Sequence, residues 1–139
     1  TLLSACGSPA PKPTMISASM QAADDLNPDS AGRASPVVIR IFELKSVATF
    51  NAADFFSLWD RESETLGPDL VAREELQLRP GERKAFERTL QPDTLQIAVI
   101  AAFRDLERSH WRGAVAVVPN QTQPVTIVLE SRAVSIRAE

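Results

Sequence analysis

A chain of 139 residues with 15 Lys plus Arg against 18 Asp plus Glu, a formal charge of −3 and 44% apolar residues has the size and make-up of one globular domain. Charges of both signs interleave, so there is no basic stripe to neutralise a phosphate backbone, and nucleic acid is excluded as an expected partner. One Cys and one His exclude a disulfide framework and the usual zinc ligand sets, and no apolar run approaches the roughly 20 residues that span a bilayer.

In chain order, Leu2-Leu3-Ser4-Ala5-Cys6-Gly7 resembles a bacterial lipobox, in which the preceding residues are the end of a secretory signal and Cys6 becomes the acylated N-terminus. Gly7 in place of Asp after that Cys resembles the sorting pattern of outer-membrane lipoproteins. Gly7 to Pro13 holds three prolines and nothing able to pack, which makes it a tether reaching roughly 20 Å. Residues 1–13 are therefore expected to be leader remnant, lipidated Cys and tether, and residues 14–139 the folded body.

From Thr14 the period is two. Ile16, Ala18, Met20 and Ala22 alternate with polar residues, as in a strand with one dry face. Ala23 to Ser35 follows as a loop of 13 residues, polar except for Leu26 among its larger side chains. Its Asp24, Asp25, Asn27 and Asp29 lack the Gly and terminal Glu spacing of a calcium-binding EF-hand loop. Val37 to Leu44 is apolar on both faces at its start, as expected of an interior strand. The period then changes: Asn51, with Asp54 three residues on, resembles a helix cap, and Ala52, Phe55, Phe56 and Trp59 fall at helical spacing before Gly67-Pro68 stops the segment.

Strand signals return at Leu70 to Leu78. Pro80-Gly81 predicts a type II turn and a hairpin with Lys84 to Leu90. Leu95 to Phe103 is the strongest strand, with Leu95, Ile97, Val99, Ala101 and Phe103 on one face. Trp111 to Val118, Pro124 to Leu129 and Ala133 to Ile136 complete the set. Eight strands without βαβ alternation predict an all-β, antiparallel sandwich with a short helical insertion. His110 is expected as an exposed turn residue with no acid and nucleophile placed around it, so the chain is expected not to be an enzyme. Trp59 and Trp111 are expected to face the core, and Arg104 and Arg112 to pair with Asp105 or Glu107.

Taken with the order of these segments, the lipobox at Cys6, Ile41-Phe42-Glu43-Leu44-Lys45, Phe50-Asn51-Ala52-Ala53-Asp54-Phe55-Phe56, Leu76-Gln77-Leu78-Arg79-Pro80-Gly81 and Ile97 to Asp105 with Trp111-Arg112 resemble the TssJ family. These are lipoproteins of the bacterial type VI secretion apparatus. The resemblance implies an eight-stranded transthyretin-like sandwich held on the periplasmic face of the outer membrane by its lipid, with no cofactor beyond the covalent lipid and no small-molecule substrate. It further implies binding to the periplasmic C-terminal domain of TssM through the loop between the first two strands. Here that region holds Asp24, Asp25, Leu26, Asn27, Asp29 and Arg33, with Leu26 as an apolar anchor inside a hydrated rim. As a surface loop, Asp24 to Ser30 is expected to be replaceable by a short Gly-Ser turn without loss of the fold. The competing expectation is a periplasmic small-ligand carrier on the same sandwich, which would need a concave apolar pocket.

Cys6→Ser is expected to leave the melting curve unchanged and to release the protein from membranes, because acyl chains contribute roughly 0.8 kcal/mol per buried methylene. Membrane fractionation with mass spectrometry of Cys6 in material processed by the native host checks it.

Overall fold

The computed structural model describes residues 10–139, so Cys6 and the lipobox lie outside the described residues. Eight strands form two four-stranded sheets. In the first, β4 (Arg83–Thr89), β1 (Met15–Ala22), β7 (Thr122–Glu130) and β8 (Ala133–Ala138) lie side by side in that order. In the second the order is β3 (Leu70–Leu78), β2 (Val37–Leu44), β5 (Gln96–Ala101), β6 (Arg112–Ala116). This is the expected sandwich, with antiparallel pairing everywhere except between β1 and β7, which run parallel from Met15 opposite Thr122 to Ala22 opposite Leu129. A parallel pair needs a long crossover, and here nearly the whole intervening chain supplies it.

The alternation read in β1 holds: Ile16, Ala18, Met20 and Ala22 are buried between the sheets with Ile39 and Ile41 of β2, Ile97 and Val99 of β5, and Val125, Ile127 and Leu129 of β7. β2 and β5 are dry on their other face as well. Phe42, Leu44, Ala98 and Ile100 form a second apolar layer, covered by Phe50, Phe55, Leu58 and Leu66 from α1 (Ala48–Ala52), α2 (Phe55–Asp60) and α3 (Glu62–Leu66). The helix cap lies at Asp54 and not at Asn51. Asp54 accepts from the Ser57 N–H at 2.8 Å, whereas Asn51 belongs to the short helix before it.

Two further expectations are corrected. The Pro80-Gly81 turn forms, with Gly81 at φ +75 and the Glu82 N–H donating to the Arg79 carbonyl, yet its arms do not pair with each other. β3 pairs with β2, and β4 pairs with β1 in the other sheet. The Gly81 N–H donates to the Ala23 carbonyl and the Ala22 N–H to the Glu82 carbonyl, which draws the second arm onto β1. In the strongest strand Ile97, Val99, Ala101 and Phe103 face the inter-sheet core as read, but Leu95 is 53% exposed. Its backbone still bonds to Leu44 and Val117, so the side chain sits at the rim of the sandwich.

Arginines fix the helical cover to its sheet. Arg40 of β2 lies 3.9 Å over the Trp59 ring, pairs with Glu75 at 2.8 Å and Glu62 at 3.3 Å, and donates to the Trp59 carbonyl. Arg112 does not form the expected ion pair with Asp105 or Glu107. Its Nη1 donates to the carbonyls of Phe50, Asn51 and Ala53 at the end of α1, and its guanidinium lies 4.0 Å over Trp111. Trp59 and Trp111 are half-buried against the helical layer, as expected.

One carboxylate lies inside this frame. Glu43 of β2 is 1% exposed and receives Arg88 Nη2 at 2.7 Å, the Gln91 N–H at 2.8 Å and the Thr94 hydroxyl at 2.8 Å. Arg88 belongs to β4, so the ion pair spans the two sheets.

Phe103 is 3% exposed on the dry face, and Phe103→Ala is expected to cost about 3–5 kcal/mol through lost transfer energy and a cavity. Denaturant unfolding checks it, and an unchanged midpoint would refute the register of β5.

Candidate functional site

β1 runs the length of the sandwich and so defines two ends. At its close lie the loop 23–36, the turn 79–82, the segment 102–110 and the turn 130–132, joined by backbone bonds from Ala23 to Leu129, Asn27 to Ser131 and His110 to Arg132. At its start lies the Pro-rich segment 10–13, expected from the sequence to be part of a tether, and this is called the tether end. Asn120, at φ +60, donates its N–H to Thr14 Oγ1 at 2.9 Å and its Nδ2 to the Lys12 carbonyl at 2.8 Å.

The loop after β1 is built from the inside outward. Leu26 is fully buried in the inter-sheet core and so cannot be the apolar contact in a hydrated rim. Asn27, 3% exposed, takes the left-handed conformation at φ +46, which Asn tolerates better than most residues. Its Nδ2 donates to the Pro36 carbonyl at 2.9 Å, and its Oδ1 accepts the Arg104 N–H at 2.8 Å. These two residues fasten the loop to the start of β2 and to the segment after β5. Replacing Asp24 to Ser30 by a Gly-Ser turn would thus remove a core side chain and a structural amide, contrary to the expectation from composition.

Outside these anchors the loop is polar and self-bonded. Asp29 Oδ1 accepts the N–H groups of Ala31 and Arg33, both at 2.9 Å, and Oδ2 takes Arg33 Nε at 3.1 Å. The backbone donor of Arg33 is the main cause holding the Asp29 carboxyl below the usual carboxylate range. A depressed carboxylate favours the ordered tip above its ordinary pKa, and the tie is lost only as the pH falls through the lower folded value. Asp24 and Asp25 are exposed, as is Arg33.

Between this tip and the segment after β5 runs a surface groove of about 480 Å³, lined by Pro28, Asp29 and Ser30 on one side and Arg104, Arg108 and Arg132 on the other. Asp105 within it pairs with Arg132 at 3.5 Å and with Arg108 at 4.0 Å. His110 is exposed and joined to Ala133 through the backbone. Among the described residues no cluster of three or more His, Cys, Asp or Glu could hold a metal ion. The arrangement is a charged surface groove on a rigid frame.

Asn27, expected from the sequence as a contact residue, is instead a buried anchor, and Glu43 and Asn120 were missed by reasoning from sequence, since all three act through partners far along the chain. Asn27→Ala is expected to lower stability by about 1–3 kcal/mol for each backbone group it orphans. Asn27→Gly, which accepts the positive φ, should recover only the conformational part. Chemical denaturation of the two variants separates these contributions.

Residues 14–132 match the family model T6SS-SciN, described as type VI secretion lipoprotein, VasD, EvfM, TssJ. The crystal structure of the type VI lipoprotein TssJ1 from Pseudomonas aeruginosa is 42% identical, with 91% of this chain and 97% of that chain covered and a TM-score of 0.88. Lip from Serratia marcescens, a membrane-bound component of the type VI secretion system, is 26% identical, with 91% and 96% covered and a TM-score of 0.81. A solved structure described as the TssM C-terminal domain from EAEC matches in fold at 23% identity, with 89% and 98% covered and a TM-score of 0.74. No curated protein matches the chain. No helix among the described residues is long and apolar enough to cross a membrane. The chain belongs to the TssJ family of type VI secretion lipoproteins, structural components of a membrane complex and not enzymes.

Proposed function

We propose that this chain is anchored to the periplasmic face of the outer membrane by an acyl group on Cys6, and that it braces the type VI membrane complex by binding the periplasmic C-terminal domain of TssM. Residues 1–13 act as leader remnant, anchor and tether, and residues 14–139 as the folded adaptor. The observation that carries this reading is the polarity of β1. The tether enters at Met15, the loop leaves after Ala22, and eight strand residues separate them by roughly 26 Å at 3.3 Å each. An anchored protein therefore presents the loop away from the lipid, toward a partner from the inner membrane.

Within the loop, Asp24, Asp25, Asp29 and Arg33 form the contact surface, while Leu26 and Asn27 position it from inside. The groove beside it offers arginines to acidic side chains of the partner, and the exposed aspartates meet basic ones. Such complementarity sets association rate and register more than affinity.

Asp24→Lys combined with Asp25→Lys alters exposed side chains only and should leave the melting temperature unchanged. It is expected to weaken binding to the TssM domain at least tenfold, about 1.4 kcal/mol. Titration calorimetry checks it, and an unaltered affinity would place the interface elsewhere on the sandwich.

A further inference from the structure

We propose that the tether end of the sandwich is a second membrane contact, in which Leu95 and Val118 sit in the lipid headgroup layer beneath the anchored protein. This rests on the reading that Cys6 carries the lipid. The exposed large apolar side chains among the described residues are Phe56, Leu95 and Val118, and two of these three share this end. Leu95 directly precedes β5 and Val118 lies just past β6. The Val117 N–H donates to the Leu95 carbonyl at 2.9 Å, which sets the two strand ends side by side.

The chain enters beside them, where Asn120 holds Lys12 and Thr14. A groove of about 590 Å³ opens at the same place, with Pro11, Pro13, Leu90, Pro92 and Pro119 among its walls. With Lys12 held by Asn120, only six residues lead back to Cys6, a reach of roughly 20 Å when fully extended. A lipid at Cys6 thus keeps Leu95 and Val118 close to the headgroups throughout.

Two side chains on a free protein would partition weakly. On an anchored protein the same encounter is intramolecular, at an effective concentration in the millimolar range. Lys12 and Lys45 at this end are accompanied by Asp69, Asp93 and Glu139, so there is no basic excess, and apolar contact and not attraction to anionic lipid provides the hold. The contact would set the tilt of the sandwich and keep the loop end pointing into the periplasm.

The test couples the chain from Cys6 onward, through its single thiol, to a maleimide-headgroup lipid. The vesicles are phosphatidylethanolamine and phosphatidylglycerol with brominated acyl chains, and the readout is quenching of Trp fluorescence. Leu95→Trp and Val118→Trp should each show at least twofold more quenching than the parent, whose Trp59 and Trp111 lie on the helical side. Phe56→Trp should match the parent, and the added quenching should persist in high salt. No added quenching, equal quenching in all three variants, or quenching of Phe56→Trp alone would each overturn the contact. Chemical coupling replaces biological acylation and no TssM is present, so failure here leaves the adaptor reading intact. An unmodified Cys6 thiol in material from the native host would instead overturn the anchor itself.

Discussion

The architecture depends on one constraint: β2 and β5 are apolar on both faces. A sheet with one wet face cannot accommodate them, because Phe42, Leu44, Ala98 and Ile100 would stand in water opposite the side already packed against the first sheet. Burying both faces requires a third layer. The chain supplies it between β2 and β3, adjacent strands joined at the tether end, so that the connection folds back over its own sheet. Short helices suffice because tertiary packing, not intrinsic propensity, stabilises them. Arg40 and Arg112 complete the layer by satisfying carbonyls that the short helices leave open while stacking on its tryptophans.

The same two-faced strand carries Glu43, and a carboxylate there is tolerable only with full pairing. Arg88 reaches it from the opposite sheet, and the Gln91 N–H and Thr94 hydroxyl reach it from the connection between β4 and β5. One acid therefore joins the sheets at an edge and orders a loop at the tether end. Its removal would leave the Arg88 guanidinium short of a partner, although Glu74 also contacts it. The groups that define the two ends of the molecule are thus tied to the core by polar contacts, not by apolar packing alone.

Much of this was legible from local pattern. Period-two alternation located the dry face of β1, continuous apolarity marked β2 as interior, and Pro80-Gly81 marked its turn. Alternation says which face is dry but not which strand lies alongside, so the turn alone points β4 to β3, whereas backbone bonds at Ala22 and Ala23 bring it to β1. Within the loop a single Leu among polar residues has no period, and nothing local distinguishes a buried Leu26 from an exposed one. The partners of Asn27 lie 9 and 77 residues away, and those of Arg112 about 60, which places them beyond any window of sequence. The segments that carry the family resemblance lie in the interior strands β2 and β5, in the helical cover, and at the ends of the edge strands β3 and β6. The lipobox falls outside the described residues.

The interior position of β1 has a mechanical consequence. β1 is an interior strand, bonded along its length to β4 on one side and to β7 on the other. A pull applied at the tether, with the opposite end of the sandwich held, acts along the axis of β1. The ladder bonds lie across that axis, so the load is shared by all of them in shear and cannot peel them one at a time. An edge strand loaded the same way would have one ladder to share the load where β1 has two. A load entering ahead of Met15 would therefore fall on the element least easily drawn out of the fold.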